Sequence, residues 1–98
     1  MLNPAKFGGG LLVFAELRVA QSTPALNGAL RAALQACDEV IECHEVAGHF
    51  DYLLKTRVSD MRALREFVAS VVWRLPGVSE VRTYAVIDEV KNTACIPV

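Results

Sequence analysis

Val46-Ala47-Gly48-His49-Phe50-Asp51-Tyr52 separates two runs rich in β-branched and apolar residues, 39–46 and 52–58. Two strands this close have to turn back on each other, so the stretch predicts an antiparallel hairpin, with Gly48 supplying conformational freedom at the turn. The turn is unusual for a plain connector, because an imidazole, an aromatic ring and a carboxylate fall within four residues. Backbone N–H groups, one anion and apolar surface presented together suit a small zwitterionic ligand. The plainer reading, in which Asp51 caps the turn while Phe50 and Tyr52 pack, is the commoner use of such residues.

Outward from the hairpin, the remaining elements follow by periodicity. Residues 11–19 read as a strand, with Val13, Ala15, Leu17 and Val19 on one face and Leu12, Phe14, Glu16 and Arg18 on the other. Thr23-Pro24 gives an N-cap and a first-turn proline, and Leu26, Leu30, Ala33, Leu34 and Cys37 follow at helical spacing, predicting a helix that ends near Ala36. Residues 40–46 and 52–58 are the hairpin strands. Ser59-Asp60 opens a second helix whose inner side carries Leu64, Phe67, Val68, Val71 and Leu75, and Pro76-Gly77 stops it. Residues 78–90 read as a long last strand, and Cys95 to Val98 as a short edge segment. The order β-α-β-β-α-β, with a weak internal repeat between Val40-Ile41-Glu42 and Val78-Ser79-Glu80, predicts an α+β, ferredoxin-like βαββαβ sandwich with both helices on one sheet face. Leu12, Phe14, Tyr84 and Val86 have the parity to leave the other face partly apolar, which predicts a two-fold dimer.

The chain is one small domain of 98 residues, of which 1–10 read as a linker-like lead-in. Apolar residues make up 53% of it, with a mean hydropathy of +0.33, more than so short a chain can enclose alone. The net charge is −1 and there is no basic stripe, which argues against direct nucleic-acid binding. No apolar run approaches the length of a membrane span, and no signal-peptide pattern precedes the longest one, residues 8–15.

The chemistry of the side chains points away from catalysis. Cys37, Cys43 and Cys95 lack CxxC spacing and read as reduced thiols of a cytoplasmic protein. Cys43 and His44, adjacent in a strand, point to opposite faces, so no metal site is expected from them. Glu42 and Glu45 diverge for the same reason and do not form a paired-carboxylate site. Gly8-Gly9-Gly10 precedes a strand and lacks the helix and lysine of a phosphate loop. His44 reads as an exposed or dimer-facing strand residue, Trp73 as a packing residue, and Thr83 as a strand residue able to hydrogen-bond a ligand. No catalytic residue, metal or cofactor is assigned.

The chain resembles the effector-binding domain of the Lrp/AsnC (feast/famine) family of transcription regulators, also called the regulation-of-amino-acid-metabolism (RAM) domain. The resemblance rests on Val40 through Lys55, above all Gly48, Asp51 and Tyr52 as a Gly-x-x-Asp-Tyr element, together with Leu75-Pro76-Gly77-Val78. It extends from the lead-in Leu2-Asn3-Pro4-Ala5-Lys6 to Val90-Lys91-Asn92-Thr93, nearly the whole chain. It implies dimers of the dimeric α+β barrel type, packed by their open sheet faces, and further assembly up to octamers. It also implies that an amino acid or related metabolite binds at a dimer–dimer contact. There the turn of Gly48, His49, Phe50, Asp51 and Tyr52 would hold the ligand's ammonium and carboxylate, with Asp51 pairing the ammonium. Thr83 would contribute from the last strand.

Two departures qualify the resemblance. The helix-turn-helix domain usual in the family is not among these residues, so DNA contact would come only through an attached or partner helix-turn-helix. The chain reads either as a stand-alone effector module or as a piece of a longer regulator. His49 stands where an acidic or small polar residue is frequent, which would make binding pH-dependent. Two other classes share the topology. One is a small dimeric α+β barrel enzyme, such as a monooxygenase, an isomerase or a tetrapyrrole decarboxylase using histidines. The other is a pure assembly subunit for a full-length regulator.

Overall fold

The computed structural model describes residues 10–20 and 23–92. Its elements in order are β1 (Leu11–Val19), α1 (Pro24–Gln35), β2 (Val40–Glu45), β3 (Tyr52–Val58), α2 (Met61–Ser70), a 3-10 turn (Val72–Arg74) and β4 (Val78–Ala85). The four strands form one sheet in the order β2-β3-β1-β4, antiparallel throughout. The expected βαββαβ sandwich is therefore the observed architecture.

The helix starts follow from their caps. Thr23 Oγ1 accepts the Leu26 N–H at 3.1 Å with Pro24 in the first turn, and Asp60 Oδ1 accepts the Ala63 N–H at 2.8 Å. Each side chain satisfies an amide that has no partner inside its own helix. In β3 burial alternates strictly, with Tyr52, Leu54, Thr56 and Val58 turned inward. Their β1 partners Leu17, Ala15, Val13 and Leu11 share that face. Leu30 and Leu34 of α1 and Leu64 and Phe67 of α2 close over them as a single core cluster, so both helices cover the same side of the sheet. Thr56 is buried among these apolar side chains, and its hydroxyl donates to the Val13 carbonyl at 3.0 Å.

Several details differ from the sequence expectation. β4 ends at Ala85 rather than at 90. Val86 N still donates to the Leu12 carbonyl at 2.8 Å, and beyond it the chain leaves the sheet, with Ile87 100% and Val90 92% exposed. β2 ends at Glu45, one residue early. The second helix tightens into the 3-10 turn after Ser70, which rotates Val72 into the core and leaves Trp73 half exposed instead of packed. Gly77 has φ +79°, and an added Cβ there would meet Leu26 Cδ2 at 2.7 Å. Gly48 is not in the left-handed region and has open space around its Cα, so the turn does not need glycine for its backbone. The lead-in residues 1–9 and the edge segment expected at 95–98 lie outside the described residues.

Candidate functional site

The hairpin turn folds across the C-terminal end of β1 and is tied there by its own backbone and by one side chain. Val46 N–H donates to the Asp51 carbonyl at 2.9 Å, and Asp51 N–H donates to the Leu17 carbonyl at 2.8 Å. The Asp51 carboxylate accepts the Val19 N–H through Oδ2 at 2.8 Å. Asp51 is thus a cap, as the plainer sequence reading had it, and this bond uses one carboxylate oxygen. Gly48 and His49 are exposed and Phe50 is half-buried.

His49 and Phe50 lean over a cavity of about 260 Å³ on the open sheet face, whose other walls are Glu16 and Arg18 of β1 and Glu80 and Arg82 of β4. The ladder sets Glu16 opposite Arg82 and Arg18 opposite Glu80. Arg18 Nη1 lies 3.5 Å from Glu80 Oε1, and Arg82 Nε donates to Glu80 Oε2 at 3.2 Å. The hydrogen bond that Arg82 donates to Glu80, then the charge of Glu80, holds the Arg82 guanidinium more firmly protonated than usual. The β1–β4 register slips between Arg18 and Val19, and Ser79 Oγ donates to the Arg18 carbonyl at 3.1 Å beside that irregularity. Bulges of this kind re-aim neighbouring side chains, here at the cavity's edge.

Carboxylates for an ammonium, guanidiniums for a carboxylate and an aromatic ring for an apolar side chain are what a free amino acid requires. Sequence reasoning missed these four charged residues. The signal was available in Glu16-x-Arg18 and Glu80-x-Arg82, two like-spaced charged pairs on strands that the fold places side by side.

The structure does not gather all the expected site residues. Tyr52 turns inward, 3% exposed, onto the helix side of the sheet. Thr83 pairs with Ala15, so it shares the helix-side face and is separated from the turn by β1. In one chain it does not meet His49 or Phe50. His44 is exposed on the open face, with Nε2 3.2 Å from Glu42 Oε1, and Lys55 Nζ lies 3.7 Å from the other oxygen. The hydrogen bond from His44, followed by the Lys55 charge, holds the Glu42 carboxyl below its usual range. Cys43 pairs with Leu54 and His44 with Leu53, on opposite faces as expected, although Cys43 is exposed rather than packed.

Comparison with known proteins agrees with this fold. A family model described as the Lrp/AsnC ligand binding domain matches residues 12–95. The leucine-responsive regulatory protein of Haemophilus influenzae is 46% identical over 93 residues, covering 95% of this chain and 56% of that protein. Its Escherichia coli K12 counterpart is 45% identical over the same length, covering 95% and 57%. The chain thus spans little more than half the length of the curated relatives it matches. Among solved structures, a transcriptional regulator of Neisseria meningitidis in complex with L-methionine superposes with a TM-score of 0.89 at 27% identity, covering 99% of this chain and 62% of the other.

Proposed function

The chain belongs to the Lrp/AsnC ligand-binding domain family, and from that premise we propose that it senses a free amino acid, or a close metabolite, for a transcription regulator. The relatives it matches are regulators by name, and the Neisseria structure holds L-methionine. The observation that carries the reading in this chain is the cavity under His49 and Phe50, with two carboxylates and two guanidiniums on its walls. Arg18 and Arg82 receive the ligand carboxylate together with amides of the turn, and Glu16 faces its ammonium. Asp51, which does not line the cavity, is the further anion at the turn, through its second carboxylate oxygen. Gly48 adds no side chain, so a neighbouring molecule or ligand can approach its backbone closely. Tyr52 anchors the turn by burying its ring, and Thr83 serves a ligand only if a second copy brings its edge strand to the turn.

Sensing becomes regulation through assembly. Phe14 and Tyr84 are paired across β1 and β4 on the open face, and they form the centre of a two-fold dimer. The turn stands beyond that centre, where a second dimer completes the ligand's enclosure, as in an octamer. Ligand that binds one assembly better than another shifts the population between them and changes how attached helix-turn-helix segments meet DNA.

A calorimetric screen of the twenty amino acids tests the reading. One or a few should bind, and Arg82→Gln should weaken that binding several-fold, since it removes a guanidinium that would pair with the ligand carboxylate. Failure of every amino acid to bind at millimolar concentration would leave the pure assembly subunit as the better description.

A further inference from the structure

A second concavity of about 320 Å³ opens on the opposite side of the sheet, between α1 and β2, and shares no lining residue with the cavity at the turn. Leu34 and Val40 form its apolar wall. The β2–β3 register slips between Val40 and Glu42, so Ile41 is an extra residue with no β3 partner and stands half exposed at the same wall. Across the rim, Arg31 Nη1 donates to Glu45 Oε1 at 2.9 Å, with both side chains more than half exposed.

The lining includes an unusual group. Tyr52 is 3% exposed, yet its hydroxyl has no hydrogen-bond partner among the described residues. A buried hydroxyl without a protein partner is rare in a folded chain and calls for a physical reason. Arg31 faces the same space. Its guanidinium is held charged first by Glu45, and it lies close to the Tyr52 ring. A guanidinium has five N–H donors, and the ion pair with Glu45 engages one terminal nitrogen. An O–H donor and spare N–H donors beside an aliphatic wall are the complement of a carboxylate with a short branched tail. An ammonium is less well served, because Glu45 is engaged by Arg31 and Glu42 by His44 and Lys55.

We propose that the α1–β2 groove is a second small-molecule site, for a short branched aliphatic monocarboxylate without an α-ammonium, such as a 2-oxo acid. Its carboxylate accepts from the Tyr52 hydroxyl and the Arg31 guanidinium, and its tail lies along Leu34, Val40 and Ile41. This site is independent of the reading of the turn.

The test is a titration of the ¹⁵N-labelled chain with 4-methyl-2-oxopentanoate, with L-leucine in parallel. Saturable shifts are expected at Arg31, Ile41 and Cys43. Tyr52→Phe should weaken binding about tenfold, the usual weight of one charge-assisted hydrogen bond. The same substitution should leave the melting temperature unchanged or higher, because it removes a hydroxyl the fold does not use. Arg31→Gln, a surface change, should weaken binding at least as much. No saturable shift, or shifts confined to His49, Phe50 and Arg82, would overturn the proposal. So would equal affinity in both variants, or groove binding of L-leucine as tight as that of the oxo acid.

Discussion

The carboxylate of Asp51 accepts the backbone N–H of Val19 at 2.8 Å across 32 residues of sequence. With the Asp51 amide on the Leu17 carbonyl at 2.8 Å, one residue of the turn fixes where β1 ends. The same residue stands beside the two that lean over the charged cavity, so its structural and ligand roles have to be separated by substitution.

Asp51→Asn keeps an acceptor for Val19 but removes the charge, whereas Asp51→Ala removes both. The alanine variant should lose about 1–2 kcal/mol of stability, the asparagine variant well under half of that, allowing for the partial exposure of the bond. Amino-acid binding should fall in both. Denaturant midpoints and calorimetry on the same samples read the two effects apart. If Asp51→Asn binds as the wild type does, the carboxylate is a cap and nothing more.

The two glycines invite a paired comparison. Gly77→Ala forces a side chain into the left-handed region and into Leu26, so it should cost at least about 1 kcal/mol. Gly48→Ala meets open space at an ordinary φ and should leave stability within about 0.5 kcal/mol of the wild type. Any loss of amino-acid binding in Gly48→Ala then reports close approach of the ligand or a second copy to the turn. A large drop in melting temperature for Gly48→Ala would show that the turn needs its glycine after all.

Phe14 and Tyr84 lie opposite each other on the open face, Tyr84 47% exposed. Light scattering at micromolar concentration should give at least twice the chain mass of 10.7 kDa. Phe14→Glu places a charge at the centre of that surface and should shift the mass toward the single chain, since a desolvated charge without a partner is costly. An unshifted mass would place the interface elsewhere.

Partial desolvation raises the pKa of both described thiols above the ordinary value, at Cys43 even though the residue as a whole is exposed. At Cys37 the Glu39 hydrogen bond adds to it, and at Cys43 the Arg31 charge partly opposes it. A raised folded pKa means that the unfolded chain ionises first. The stability contribution is therefore complete below the ordinary thiol range and is lost as pH rises through the raised value. Alkylation of Cys37 and Cys43 by iodoacetamide, read separately by peptide mapping, should be slow in the native chain at pH 7, accelerate only at distinctly alkaline pH, and lag the same thiols of the urea-unfolded chain. Equal rates in native and unfolded protein would remove the basis of that argument.

Local patterns carried most of the architecture. Alternation in 11–19 and 52–58 set which side chains point inward, Thr23-Pro24 and Asp60 marked the helix starts, and Gly48 through Tyr52 marked the hairpin. These signals are local because an amide at a helix start or a side chain on a strand is satisfied by near neighbours in sequence. Strand ends were less legible. β4 leaves the ladder after Ala85 although β1 runs on to Leu11, so its end is set by how long the two strands stay paired, and Val72 is buried because the chain tightens after Ser70.

The candidate sites were decided by tertiary structure. Sequence alone brought forward His49, Phe50 and Asp51, since they are contiguous. Only the sheet order, which sets β1 between β3 and β4, assembles Glu16, Arg18, Glu80 and Arg82 beneath them while separating Thr83 from the turn. Likewise Tyr52 reads in the sequence as part of the turn, but strand parity sends its ring to the other face, into a groove with Arg31. Ligand sites join residues that are distant along the chain, and no local periodicity encodes which strand edges will lie side by side.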